Sequence, residues 1–176
     1  MKWMPLRILG QGVVYAGFAV LIAHFSQAPA YHPIPAGHAQ IKLSFAHGGK
    51  PKGGCRQRTT GELANLAPNM RKATLCPRER VPVVVLFSLD DVPVFNASLP
   101  PTGLRGDGAS QTYRKFVVPA GSHRLAFKLR DSERTEGFDY AVDRTFELKP
   151  GQNLAVDFDA QAGGFVFRNG PHGEQK

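Results

Sequence analysis

The feature that most restricts this chain is an apolar run at residues 8–25, ILGQGVVYAGFAVLIAHF, whose only clearly polar side chains are Gln11 and His24. A helix of that length rises about 27 Å, close to the roughly 30 Å hydrocarbon core of a bilayer. Lys2 and Arg7 precede the run, and no further Lys or Arg occurs until Lys42. Cationic flanks are retained on the cytoplasmic side, so the N-terminus is expected inside and everything after Phe25 outside. Residues 1–25 therefore read as a single N-terminal transmembrane helix, a signal-anchor in a bacterial inner membrane, with a folded domain in the periplasm. A cleaved signal peptide competes with this reading, because Ala28-Pro29-Ala30 has the small-x-small form of a cleavage site. The run exceeds the roughly 7–15 residues of a usual signal core, which favours the uncleaved anchor. Either way the remainder is exported. Residues 26–39 hold three Pro and no apolar period, and read as a short, stiff spacer.

From residue 40 the apolar residues alternate in short runs. Ile41, Leu43 and Phe45 alternate with Lys42, Ser44 and Ala46, and residues 83–89 form a denser run suited to a central strand. Asp90-Asp91 turns the chain into residues 92–99. Residues 113–118 lead to a Pro119-Ala120-Gly121-Ser122 turn, then Leu125, Phe127 and Leu129 alternate with Arg124, Lys128 and Arg130. Tyr140, Val142, Phe146 and Leu148 repeat the pattern with Arg144 as its one lapse. Leu154, Val156 and Phe158 follow the Lys149-Pro150-Gly151-Gln152 turn, and Phe165 and Phe167 close the series. About eight strands at this spacing, with no long helical period, predict an all-β fold: an antiparallel two-sheet β-sandwich over residues 40–170. A closed barrel is the alternative, and residues 171–176 read as a disordered tail. The 19 Gly and 14 Pro suit many tight turns, and the twelve Phe suffice for one filled core.

The segment Val118-Pro119-Ala120-Gly121-Ser122-His123-Arg124-Leu125-Ala126-Phe127 resembles the strand–turn–strand of PEGA-like and other prealbumin-like surface domains. Phe146-Glu147-Leu148-Lys149-Pro150-Gly151-Gln152 is similar to the same pattern. The resemblance covers about a third of the chain. It implies a binding or structural accessory module and brings no catalytic residues.

Cys55 and Cys76 are the only cysteines, and an even count in an exported chain predicts a disulfide. Closing a loop of about 20 residues contributes about 3 kcal/mol in the chain-entropy model. Within the loop, Thr59-Thr60-Gly61-Glu62 has the form of a capping box, which predicts one short helix that Pro68 ends. The competing reading is a copper site formed by Cys55, Cys76, His47 and Met70, since soft ligands suit Cu(I).

Charge divides the chain unevenly. Residues 40–80 carry nine basic side chains against Glu62 and Glu79, a net of +7, whereas residues 81–176 carry a net of −1. Such asymmetry concerns partners rather than fold. Arg56, Arg58, Arg71, Lys72, Arg78 and Arg80 are the candidate contacts, with an acidic protein surface, a membrane protein complex or anionic lipid headgroups opposite them. Nucleic acid is not an expected partner, because no aromatic platform interleaves the basic residues.

Other matches carry little. Leu99-Pro100-Pro101-Thr102-Gly103 fits a sorting signal, yet 73 residues follow where an apolar stretch and a basic tail belong. Arg105-Gly106-Asp107 matches the integrin tripeptide within a Gly-rich loop. Asn96-Ala97-Ser98 is a glycosylation sequon inside a predicted strand. Asp131, Glu133, Glu136 and Asp139 crowd an acidic loop that matches no EF-hand spacing and reads as solvated. Ser122 and His123 are adjacent, which directs their side chains to opposite faces of a strand. No GxSxG, HExxH, Walker A or GxGxxG motif occurs, so neither catalysis nor a cofactor is expected. The chain is expected to be a non-enzymatic, membrane-tethered accessory protein that docks on or helps assemble a larger membrane complex. A periplasmic small-ligand or copper carrier is the alternative.

Overall fold

The computed structural model describes residues 4–27 and 33–169, and the chain divides into two compact units, Met1–Pro33 and Ile34–Lys176. The Ala28-Pro29-Ala30 site and the tail at 171–176 lie outside the described residues. In the first unit one helix, α1 (Met4–Gln27), extends the predicted run by a turn at its start and two residues at its end. Its apolar residues are spread around the whole circumference, with no polar face. Such a helix needs an apolar surrounding on every side, and Leu6–Gln27 is long and apolar enough to cross a membrane.

The second unit begins with β1 (His38–His47) and continues through a short ribbon, β2 (Arg56–Gln57) and β3 (Thr74–Leu75), with the helix α2 (Thr60–Ala64) between them. Then come β4 (Val83–Leu89), β5 (Val92–Leu99), β6 (Ser110–Pro119), β7 (Gly121–Arg130), β8 (Tyr140–Leu148), β9 (Asn153–Asp159) and β10 (Gly164–Arg168). Two four-stranded sheets result, in the orders β10-β9-β1-β6 and β5-β4-β7-β8. This is the predicted all-β sandwich, and the dense run at Val83–Leu89 is a central strand as expected. One pairing departs from the antiparallel expectation: β1 runs parallel to β9. Parallel neighbours need a long crossover, and here the crossover is most of the domain, since the chain builds the whole opposite sheet before returning.

Alternation explains the core. Ile41, Leu43, Val83, Val85, Phe87, Leu125, Phe127, Leu129 and Leu154 are fully buried, each on the inward face of its strand. Phe87 and Phe127 are register partners on β4 and β7, with parallel rings 4.3 Å apart. Phe116 of β6 meets Phe87 edge-on at 5.0 Å, and Phe165 of β10 meets Phe127 at 5.3 Å. These rings join the two sheets, and each buried aromatic contributes several kcal/mol through area and ring geometry. Arg144, the lapse in the alternation, sits exposed on β8 at a sheet edge. A charge at an inward position there blunts edge-to-edge association.

The two ends of the sandwich differ. At the proximal end the chain arrives at His38, beside Pro119 and the 149–152 turn. At the distal end β1 finishes at His47, beside Ser110, after ten residues or about 30 Å. The proximal end also carries the β4–β5 hairpin, whose two turn residues, Asp90 and Asp91, both have positive φ (50° and 67°). That twist suits a two-residue hairpin, where Asp is accepted more readily than most side chains but less readily than Gly. Side chains from β7 hold it. Asp90 accepts from the Arg124 amide at 2.9 Å and from His123 Nδ1 at 2.7 Å, and Asp91 accepts from the Arg124 guanidinium. His123 Nε2 lies 2.9 Å from the Pro119 carbonyl at the end of β6, so this ring spans the two sheets.

Both partners of His123 are acceptors, so only the imidazolium satisfies both. Hydrogen bonding to Asp90 raises the His123 pKa above its ordinary value, against a smaller opposing effect of burial. The same bond, with the Arg124 amide, lowers the Asp90 pKa. A raised histidine pKa stabilises the fold below the unfolded value near 6.5 and ceases to do so as pH climbs through the folded value. A lowered carboxylate pKa acts oppositely, its contribution disappearing as pH falls through the folded Asp90 value. The clasp is therefore complete in mild acid. Wild-type stability is expected to decline by about 1 kcal/mol more than that of His123→Gln as pH rises above about 6.5. Urea midpoints measured across that range check this; parallel profiles for the two proteins would refute it.

Candidate interaction surface

Everything distal to His47 is built on a stem that the sandwich holds at several points. Gly49 passes so close to the Val81 carbonyl that a Cβ at this position would collide with it. The Lys50 amide donates to the Asp131 carbonyl at 2.8 Å, the Val81 amide to Lys50 at 3.0 Å, and the Lys52 amide to Glu79 at 2.8 Å. Pro51 and Arg80 form a β-bridge between the two legs. At the root lies Asp131, 3% exposed, whose carboxylate accepts from His47 Nε2 at 2.9 Å and sits 3.5 Å from Lys50 Nζ. Asp139 accepts from the Asp131 amide and the Ser132 hydroxyl, and lies 3.3 Å from Arg134 Nε. Its pKa is lowered, because these hydrogen bonds and nearby cations outweigh the opposing effect of burial, the largest single influence. Glu133 accepts from the Gly53 amide at 2.7 Å. The acidic loop expected to be solvated is so over residues 133–137, which are exposed, while Asp131 and Asp139 at its ends are folded onto the stem of the basic one.

The loop itself is closed by the predicted disulfide Cys55–Cys76, beside the β2–β3 ribbon. Its helix α2 starts with the predicted capping box, in which Thr59 Oγ1 accepts from the Glu62 amide and Glu62 accepts from the Thr59 amide. Pro68 does not simply end the helical run but opens a separate 3-10 turn, Pro68–Met70, where its fixed φ suits a first position. Among residues 51–80 none is buried.

The six candidate contacts separate into two groups. Arg56 forms a two-pronged bond to Glu62 at 3.0 and 2.7 Å, which, with the Thr59 amide, holds the Glu62 pKa down at about 2. Arg58 donates to the carbonyls of Met70 and Lys72, and Arg71 to that of Leu66. Arg80 is half-buried and donates to the carbonyls of Gly49 and Asp107 at 2.8 and 3.2 Å. These four arginines shape the loop and its stem. Lys72 has no side-chain partner among the described residues, and Arg78 reaches only Asp107, at 3.5 Å, with its side chain 78% exposed. The +7 of residues 40–80 is also partly offset, since Asp107, Asp131, Glu133 and Asp139 all come from outside that stretch.

The copper reading loses three of its four ligands to other bonds, because Cys55 and Cys76 are bonded to each other and His47 is engaged by Asp131. The integrin-like tripeptide is likewise occupied: Asp107 faces Arg78, and its carbonyl accepts from Arg80. The motifs in the β5–β6 connection give no sign of its surface, where Leu104 is fully exposed beside a cleft of about 520 Å³ at the stem. Its sequence signal is the spacing of Gly103, Gly106 and Gly108 about Leu104 and Arg105; Gly103 has φ +87°, which favours glycine. Comparison of the chain with protein-family models and with curated proteins finds no match.

Stem and loop are expected to differ in their effect on stability. Asp131→Ala leaves the part-buried His47 without its acceptor and Lys50 with only Asp139, at 3.9 Å, and is expected to cost about 2 kcal/mol in urea unfolding. The paired change Cys55→Ser/Cys76→Ser removes a closure that the stem bonds already make, and the loop buries no residue in the core. Its expected cost is less than about 1 kcal/mol, below the chain-entropy figure, with faster tryptic cleavage at Arg58, Arg71 or Lys72. A larger loss from the cysteine pair than from Asp131 would contradict this division.

Proposed function

We propose that this chain is a membrane-tethered, non-enzymatic accessory protein whose distal loop docks on an acidic protein surface of a larger membrane complex. In this reading α1 is an uncleaved signal-anchor in a bacterial inner membrane, with Lys2 and Arg7 inside and the sandwich in the periplasm. The observation that carries it is the contrast within residues 51–80. A disulfide, a capping box and four arginine clamps order this stretch, yet it buries nothing in the core. Ordering costs about 1–2 kcal/mol per residue in backbone entropy alone. A segment so constrained, with no role in the core, is best explained by the surface it presents.

The disulfide supports an oxidising compartment, and the charge flanking α1 supports the orientation. A protein partner is favoured over lipid headgroups because four of the six candidate cations are engaged within the domain, which leaves Lys72 and Arg78 rather than the broad cationic cluster that headgroups attract.

Two measurements test the reading. A reporter active only in the periplasm, fused after Lys176, is expected to be active; activity solely of a cytosolic reporter would overturn the topology. A photo-crosslinking residue at Lys72 in intact cells is expected to yield one discrete adduct, weakened at least threefold by Arg78→Glu and absent when the probe stands at Ser122. Identical adducts from both positions, or none, would remove the docking role.

A further inference from the structure

The cleft at the stem has a composition that identifies what it would take. Its walls are Val81, Pro82, Pro101 and Leu104, and its charged rim includes Lys52, Arg80, Arg105, Glu79 and Glu133. Part of that charge is already paired, since Lys52 Nζ is 2.8 Å from Glu79. Among the described residues Glu133 accepts only from the Gly53 amide and keeps its charge, so three cations face two carboxylates and the rim is net cationic. The cations without a carboxylate partner are two arginines. The Arg80 guanidinium donates only to backbone carbonyls, so no carboxylate neutralises it. Arg105 is exposed and has no hydrogen bond or ion pair among the described residues.

The connection that bears Leu104 and Arg105 is fixed. The Gly106 amide donates to Gly103 at 3.1 Å, the Gly108 amide to Thr102 at 2.9 Å, and Thr102 Oγ1 to Ala109 at 2.8 Å. The Arg80 amide donates to the Gly106 carbonyl at 2.9 Å and ties the connection to the stem. A leucine held open on such a frame loses little conformational freedom when a partner covers it, which favours binding. A carboxylate offered to a guanidinium gains charge-assisted, two-pronged hydrogen bonds.

The geometry points to this cleft as the recognition site for an acidic segment of a partner protein, with a carboxylate on Arg105 and Arg80 and a neighbouring apolar side chain against Leu104, Pro101 and Pro82. The inference rests on the docking reading above and names the chemistry of the partner. Two guanidinium groups without a carboxylate partner, on a rim that stays net cationic, supply the charge complementarity, and the apolar walls exclude a purely ionic ligand as the best fit.

The test uses the full chain in nanodiscs of neutral lipid, with the peptide acetyl-Leu-Glu-Leu-Asp-Gly-amide and its Gln/Asn counterpart as probes. The acidic peptide is expected to shift the amides of Arg80, Val81, Leu104, Arg105 and Gly106, with the counterpart at least tenfold weaker. Arg105→Gln is expected to weaken the acidic peptide about tenfold and Leu104→Ser several-fold. Both residues are exposed, so neither change should disturb folding. Equal affinity for the two peptides, shifts centred elsewhere, or no shift at 5 mM peptide would overturn the site. Inorganic phosphate reproducing the same shifts at equal concentration would reduce it to an anion site and overturn the peptide assignment. Vesicles of anionic lipid displacing the peptide from these same amides would transfer it to a membrane surface. Failure of this site is distinguishable from failure of the docking role: crosslinks from Lys72 that survive Arg105→Gln and Leu104→Ser would leave docking intact and refute the cleft. Peptide binding without any Lys72 adduct would do the reverse.

Discussion

Strand β1 is hydrogen-bonded along both edges, to β6 over all ten of its residues and to β9 over residues 40–43. With neighbours on both sides and Ile41 and Leu43 fully buried, it can neither slip nor reverse without moving the inward set to the outer face. Its direction consequently assigns the two ends of the domain. The chain arrives at one, and the stem, the disulfide loop and the cleft are all grouped at the other.

The distal end shows how tertiary structure redistributes charge. Residues 40–80 are strongly cationic as a string, but four carboxylates distant in sequence return to that region, and Asp131 does so from the interior at 3% exposure. A buried carboxylate is tolerated only with partners close by, and His47 and Lys50 supply them. Four arginines then turn inward to carbonyls and to Glu62. A guanidinium suits this role because its rigid fork satisfies several acceptors while keeping its charge. What remains for a partner is a smaller, better defined set: Lys72, Arg78, Arg105, the outward side of Arg80, and an exposed leucine.

The sandwich and its appendage obey different rules. Aromatic rings that join the sheets hold the core, and their contribution is non-directional and large. The loop depends on directional bonds and one covalent link, none of which buries apolar surface. Such segments occupy the low end of local stability and can change sequence without unfolding the domain beneath them.

The sequence by itself determined the eight strands of the sandwich, though not the two-residue β2–β3 ribbon, together with the α1 run, the disulfide and the capped helix. Each is a local matter of period two, continuous apolarity, cysteine parity or a four-residue cap. β4 and β5 agree with the sequence reading to the residue because Asp90-Asp91 punctuates them sharply. The edges of β6 and β7 were shorter in that reading, since Ser110 and Gly121 are drawn into strands only by pairing with β1 and β8. Only the tertiary structure decided the parallel β1–β9 pair, the burial of Asp131, the inward use of Arg56, Arg58, Arg71 and Arg80, and the cleft beside Leu104. The reason is the same throughout: these features join residues tens of positions apart, and neither alternation nor charge count along a chain records which distant groups the folded backbone brings within 3 Å.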